Sequence, residues 1–134
     1  MRVAAAGIAL LAWLAGATPT HAQAPLSCSG NQKSWLVAEL LFGRSRVSES
    51  QWARFLADEI TPRFPDGLTV MDAKGQWRSP GSGKIAKERS KVVMIAMPPA
   101  ADNDARLQAI IEAYKARFKQ RSVGLIVRPA CVSF

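Results

Sequence analysis

The chain is short of histidine: of 134 residues only His21 is one, and it lies near the N-terminus. It has 2 cysteines, 1 tyrosine and 10 acidic residues against 18 basic ones. The length excludes separate cofactor and substrate domains. Two cysteines are too few for a disulfide-dense scaffold or a four-thiolate metal site. A hydrophobic content of 49% excludes wholesale disorder. No apolar run is long enough for a comfortable membrane span.

The N-terminus gives an address. Met1-Arg2 is followed by an uncharged, mostly apolar run from Val3 to Ala17, then Thr18-Pro19-Thr20-His21-Ala22. A basic start, a short apolar stretch and small residues before a cut describe a secretory signal. Residues 1–22 are read as a signal peptide, 23–34 as a polar leader and 35–134 as one domain. Cleavage after Ala22 predicts a periplasmic or secreted protein with a formal charge of +7. Cleavage after Ala24 fits the small-residue rule but would leave Pro25 at the new terminus. Lipoprotein anchoring at Cys28 fits poorly, because Leu26 is one place too close and Cys28 lies far beyond the apolar run.

Cleavage also removes His21. The mature chain then has no Ser-His-Asp triad, no Cys-His pair, no histidine metal ligand and no proximal histidine for haem. No metal or organic cofactor is indicated. Any general acid or base must be Asp, Glu, Lys, Tyr or a terminus. In an oxidising compartment Cys28 and Cys131, at the two ends of the mature chain, should pair; free thiols or a metal pair are the alternative.

Trp35–Phe42 is apolar on both faces, is bounded by Gly43, and predicts a buried strand. Ser48 and Gln51 form a capping box, and Val47 can staple onto Trp52. Trp52, Phe55, Leu56 and Ile60 then share a helical face, which Pro62 ends near Thr61. Phe64-Pro65-Asp66-Gly67 is a turn. Leu68–Asp72 is a second strand. Gly75–Arg89 reads as a long excursion with a loose tip at 79–83. Ser90–Met97 is a third strand, closed by Pro98-Pro99. Asp102 or Asn103 caps a second helix, whose Leu107, Ile110, Ile111, Tyr114 and Phe118 line one face. Val123–Arg128 is a fourth strand.

The order is β-α-β-β-α-β, the ferredoxin-like plan: α+β, with an antiparallel four-stranded sheet and two helices on one face. In that plan the first and last strands are antiparallel neighbours, which brings Cys28 beside Cys131. Helices cover one face only, yet strand one carries Trp35, Val37, Glu39 and Leu41 on its other side. A solvent-facing side should be mostly polar. A second copy packed sheet to sheet, as in a dimeric α+β barrel, is the more economical cover. The alternative is that the excursion or the leader folds back.

Glu39 sits mid-strand among apolar neighbours and needs a partner or a raised pKa. Lys91 is read as alternating onto the same open face of strand three. A structural Glu39–Lys91 pair is therefore expected; a ligand site in a dimer interior is the sharper alternative. From Asp72 to Lys91 the net charge is +4, with Trp77 in the middle. Export argues against nucleic acid. A solvated, mobile hairpin is the plainer and favoured reading; the alternative is an anionic envelope partner such as lipid headgroups, glycan or an acidic protein face. Gly81-Ser82-Gly83-Lys84 fails as a phosphate loop: Arg78 stands where the first Gly belongs, and Ile85 where Ser or Thr follows Lys. Tyr114 reads as core.

Four stretches carry a family likeness: Arg63–Val70, Asp72–Arg78, Lys87–Val93 and Tyr114–Val123. Together they resemble an exported bacterial family known only as domain of unknown function 3574, over about residues 35–134. The resemblance implies export, by signal peptide or lipoprotein leader, and carries no activity. It picks out Asp66, Gly67, Asp72, Gly75, Trp77, Arg78, Glu88 and Lys91. Turn geometry accounts for Gly67 and Gly75, and backbone bonding for Asp66 and Asp72. Trp77, Arg78 and Glu88 have no local structural need. With Lys91 and Glu39 they are the candidate binding residues, unless Arg78 simply pairs with Glu88 across the hairpin.

The leading expectation is a small periplasmic binding or interaction module, without metal or haem, that forms a homodimer. The alternative is a cofactor-independent enzyme of dimeric α+β-barrel type with Glu88, Glu39 or Asp72 as acid–base group. A structural envelope protein is the third reading.

Overall fold

The computed structural model describes residues 26–134, so the expected signal peptide lies outside the described residues. The elements are β1 (Lys33–Gly43), α1 (Glu49–Phe55), β2 (Thr69–Arg78), β3 (Ile85–Met97), α2 (Asn103–Phe118) and β4 (Gly124–Val132). The sheet order is β2-β3-β1-β4, with every neighbouring pair antiparallel. This is the ferredoxin-like arrangement the element order predicts.

The capping box at the start of α1 is formed. The Ser48 hydroxyl accepts from Gln51 N–H at 3.2 Å, and the Gln51 side chain accepts from Ser48 N–H at 2.9 Å. Both Val47 and Trp52 are buried, as a staple requires. The helix continues as a wider π turn over Leu56–Ile60, with Thr61 N–H bonded to Leu56 O at 2.9 Å. The i→i+5 spacing returns Ile60 to the core side beside Phe55. Pro62 then ends the helix. The turn at Phe64–Gly67 closes with Gly67 N–H on Phe64 O, and Gly67 takes φ +137°, open to glycine alone at no cost.

One face of the sheet builds the core. Ala38, Leu40 and Phe42 of β1 and Val93, Ile95 and Met97 of β3 pack on Trp52, Phe55, Leu107, Ile110 and Tyr114. The Phe42 and Tyr114 rings meet edge to face at 4.7 Å, and Phe55 and Tyr114 at 5.0 Å. The Tyr114 hydroxyl donates to Gly43 O at 2.8 Å and ties α2 to the end of β1.

One local expectation is corrected and another holds in part. The excursion after Gly75 is ordered: β2 runs to Arg78 and β3 starts at Ile85, in continuous register from Thr69↔Met94 to Arg78↔Ile85. Because β1 pairs with β3 only as far as Ser90, residues 74–89 form a two-stranded arm beyond the sheet. Asp102 stands at the N-cap of α2 as expected, but makes no capping hydrogen bond through its side chain. Asp102 is itself helical in backbone, and its carboxylate is taken by Arg106. Asn103 is buried instead, its amide donating to Pro98 O at 2.9 Å and its carbonyl accepting from Arg106. A buried amide must satisfy both ends, and this site does so.

Cys28 and Cys131 form a disulfide, with Cα atoms 5.4 Å apart. It joins the segment before β1 to the end of β4, as antiparallel neighbours allow.

Candidate functional site

Three structural features gather at one end of the sheet. β1 ends at Gly43, the arm leaves beyond Ser90, and the α2–β4 connection re-enters at Gly124 opposite Leu41. Between them lies an open cleft of about 920 Å³, lined by Leu41, Gly43, Trp77, Glu88, Phe118, Gly124 and others. Trp77 and Glu88 reach it from one side of the arm, where Gly75 faces Glu88 and Ala86 faces Trp77. Arg46, Lys119 and Arg121 supply cations from the two loops. Glu88 is the one carboxylate of the lining.

Glu88 is held in place by the backbone. Ser45 N–H donates to its Oε2 at 3.2 Å. Its carboxyl lies over Gly43, where a Cβ would collide with Oε1. A side chain at position 43 would displace the Glu88 carboxyl from this place. Lys119 ends α2 in a left-handed conformation at φ 54°, a place that glycine usually takes. The strain sits at the cleft wall, with the Lys119 N–H still bonded to Lys115 O.

Arg78 does not join this site. It faces Ile85 and shares the other side of the arm with Lys74 and Lys87, so the Arg78–Glu88 pair, the alternative to a site, does not form. Successive strand residues point to opposite faces, and Trp77 and Arg78 are adjacent.

Lys91 is elsewhere again. Its partner across β1 is Phe42, which places it on the helix side, whereas Glu39 faces Met94 on the open side. The expected Glu39–Lys91 pair is thus absent. Lys91 is buried along its stem and bonds Asp72 at 2.6 Å and Glu49 at 3.3 Å. Arg44, fully buried, donates to Glu49 at 2.6 Å and to Val47 O at 3.1 Å. The hydrogen bond from Arg44 holds the Glu49 carboxyl below its usual range, and Lys91 adds to it. Lys91 does the same for Asp72. In return Asp72 raises the Lys91 ammonium above its usual value, against the effect of burial. These four charges brace α1 against β2 and β3.

The partner of Glu39 is Arg128 on β4, at 2.7 Å. Around this pair the open face carries Val37, Leu41, Met71, Val92, Met94 and Ile126. Leu41, Met71 and Ile126 are exposed. Neither the arm nor the described part of the leader covers them.

Arg46, Lys119 and Arg121 escape sequence reading because loop cations carry no spacing signal. The topology alone could have indicated them: in this plan both loops open at the end where the arm emerges. Among the described residues, no three of His, Cys, Asp and Glu converge as a metal-holding group. None of the described helices is long and apolar enough to cross a membrane.

The model of one family, described as "Protein of unknown function (DUF3574)", matches residues 37–134. The chain belongs to that family. No curated protein matches it. Among solved structures it is similar to a phage SAM lyase in complex with S-methyl-5'-thioadenosine, with a TM-score of 0.56 and 15% identity over 81% of this chain and 95% of that one. It is also similar to CutA1 from Oryza sativa, at TM-score 0.54 and 12% identity over 77% and 85% of the two chains. CutA from Synechococcus elongatus PCC7942 gives 0.51 and 11% over 75% and 80%. At such identities the likeness is one of fold.

Proposed function

We propose that this member of the DUF3574 family is an exported binding module that holds a small organic anion without metal or haem. The observation that carries this is the cleft at the sheet end. Its apolar wall of Trp77, Leu41 and Phe118 offers an aromatic or aliphatic body a surface. Arg46, Lys119 and Arg121 outnumber Glu88, so the lining favours negative charge. Glu88, anchored by Ser45 N–H, keeps acceptor capacity for a donor on the ligand.

The module works as a pair of copies joined by their open sheet faces. Four strands about 4.8 Å apart and about 30 Å long present on the order of 600 Å² per copy. Two such faces reach the lower range of specific interfaces. With a twofold axis beside the Glu39–Arg128 pair, each carboxylate would meet the partner copy's guanidinium, and the charges would be complementary. Met71→Glu should shift the sedimentation coefficient from dimer to monomer.

Titration calorimetry with phenyl phosphate and with 4-hydroxybenzoate tests the binding reading. Saturable binding that weakens about tenfold in Arg46→Ala and in Arg121→Ala supports it. Binding unchanged by both variants, or absent for both anions, defeats it.

Enzyme chemistry is the second reading, favoured by Glu88 as the sole acidic group of the cleft. Glu39 and Asp72, the other acid–base candidates, are held by Arg128 and Lys91. In an enzyme, Glu88→Gln would keep anion binding and lose turnover.

A further inference from the structure

The side of the arm that faces away from the cleft is basic. Register pairs Lys74 with Arg89, Gln76 with Lys87 and Arg78 with Ile85 on that side, and Lys84 lies at the turn. Lys74, Arg78, Lys84, Lys87 and Arg89 are all exposed. Among the described residues none of the five makes a side-chain ion pair or hydrogen bond. Asp72, the nearest acid on this side of β2, is engaged by Lys91. Lys74 and Arg89 stand directly opposite one another, and like charges so placed weaken a strand pair. The fold gains nothing from this arrangement.

One large apolar side chain is exposed on the same side near the tip. Ile85 is 59% exposed among the cations. Cations flanking an exposed Ile suit the boundary between headgroups and acyl chains. A glycan or an acidic protein face would give the cations partners and leave Ile85 in water.

We propose that the arm docks through its basic side onto a bilayer surface rich in anionic phospholipid. Lys74, Arg78, Lys84, Lys87 and Arg89 meet the phosphates, and Ile85 enters the interfacial layer. The cleft lies on the other side of the arm, so docking leaves it open.

Co-sedimentation of the mature chain with phosphatidylglycerol-rich and with pure phosphatidylcholine vesicles tests this. The expected result is binding to the first and not to the second, lost by a few hundred millimolar salt. A basic residue near such a surface contributes about fivefold, so Arg78→Glu with Lys87→Glu should weaken binding at least about twentyfold. Ile85→Ser should weaken it several-fold at unchanged charge. Lys33→Glu with Arg54→Glu makes the same charge change away from the arm and should cost less than about threefold. The Arg78→Glu/Lys87→Glu variant should melt no lower than the parent, since it relieves repulsion. No binding to anionic vesicles, equal binding to neutral ones, or equal loss in the Lys33/Arg54 variant overturns the assignment. So does an unchanged Ile85→Ser protein that binds soluble dextran sulfate as well as vesicles, which would mean a purely charged partner such as a glycan.

Discussion

Replacing Cys28 and Cys131 together by alanine removes a cross-link that spans 103 residues. Closing a loop of that length in the unfolded chain corresponds to about 4.7 kcal/mol in the chain-entropy model. A domain of this size is stable by about 5–15 kcal/mol, so the loss is a large share of the total. The bridge joins segments already adjacent: Ser34 faces Cys131 and Lys33 faces Val132 in the β1–β4 ladder. Native packing should therefore survive, and the effect should lie in the unfolded state. In urea, with a slope of about 1.5 kcal/mol/M, the midpoint should fall by about 3 M. The folding rate should carry most of the change, because the cross-link brings distant strands together before they pair. A midpoint shift under about 0.5 M, or a change confined to the unfolding rate, would mean that the cross-link does not act through the unfolded chain.

Tyr114 gives an alkaline test. Burial pushes its hydroxyl up to about 12 from 10.0, so the folded state keeps a proton that the unfolded chain releases. Stability should fall between pH 10 and 12 by about 2 kcal/mol on this account. Tyr114→Phe should cost about 1–2 kcal/mol at pH 7 through the bond to Gly43 O, and should flatten that alkaline fall; thermal melts at stepped pH read both. Asp72 has a lowered pKa, so its contribution is present above pH 3.8 and is lost as pH falls through the lowered folded value. The stability gap between parent and Asp72→Asn should be flat from pH 5 to 9 and close in acid, as urea midpoints across pH would show. Lys119→Gly should raise stability by up to about 1 kcal/mol, because φ 54° is free for glycine. The same variant should bind phenyl phosphate more weakly, so calorimetry and melting should move in opposite directions.

Much of the fold is legible in the residues. Ser48 and Gln51 announce α1, Pro62 ends it, and two cysteines near the ends of the domain agree with a topology in which first and last strands are neighbours. The site is less legible, for reasons of register. Both alternating sets of β3, Val92-Met94-Ala96 and Val93-Ile95-Met97, are apolar. Hydrophobicity therefore does not say which faces the helices. Lys91 looks like a mark of the open side, but a lysine stem can lie along a core and bring its ammonium to the rim. Only its pairing with Phe42 decides the face. The same parity separates Arg78 from Trp77. Arg128 as the partner of Glu39 depends on the β1–β4 register, which no local pattern encodes.

Native mass spectrometry of the protein taken from its own compartment, without reductant, is the most direct test of the binding reading. The account predicts a chain starting at Gln23, two protons lighter than its reduced form, that flies as a dimer with a small anionic molecule retained and lost in Arg46→Ala. A bare monomer at every concentration, with no retained mass, would contradict it.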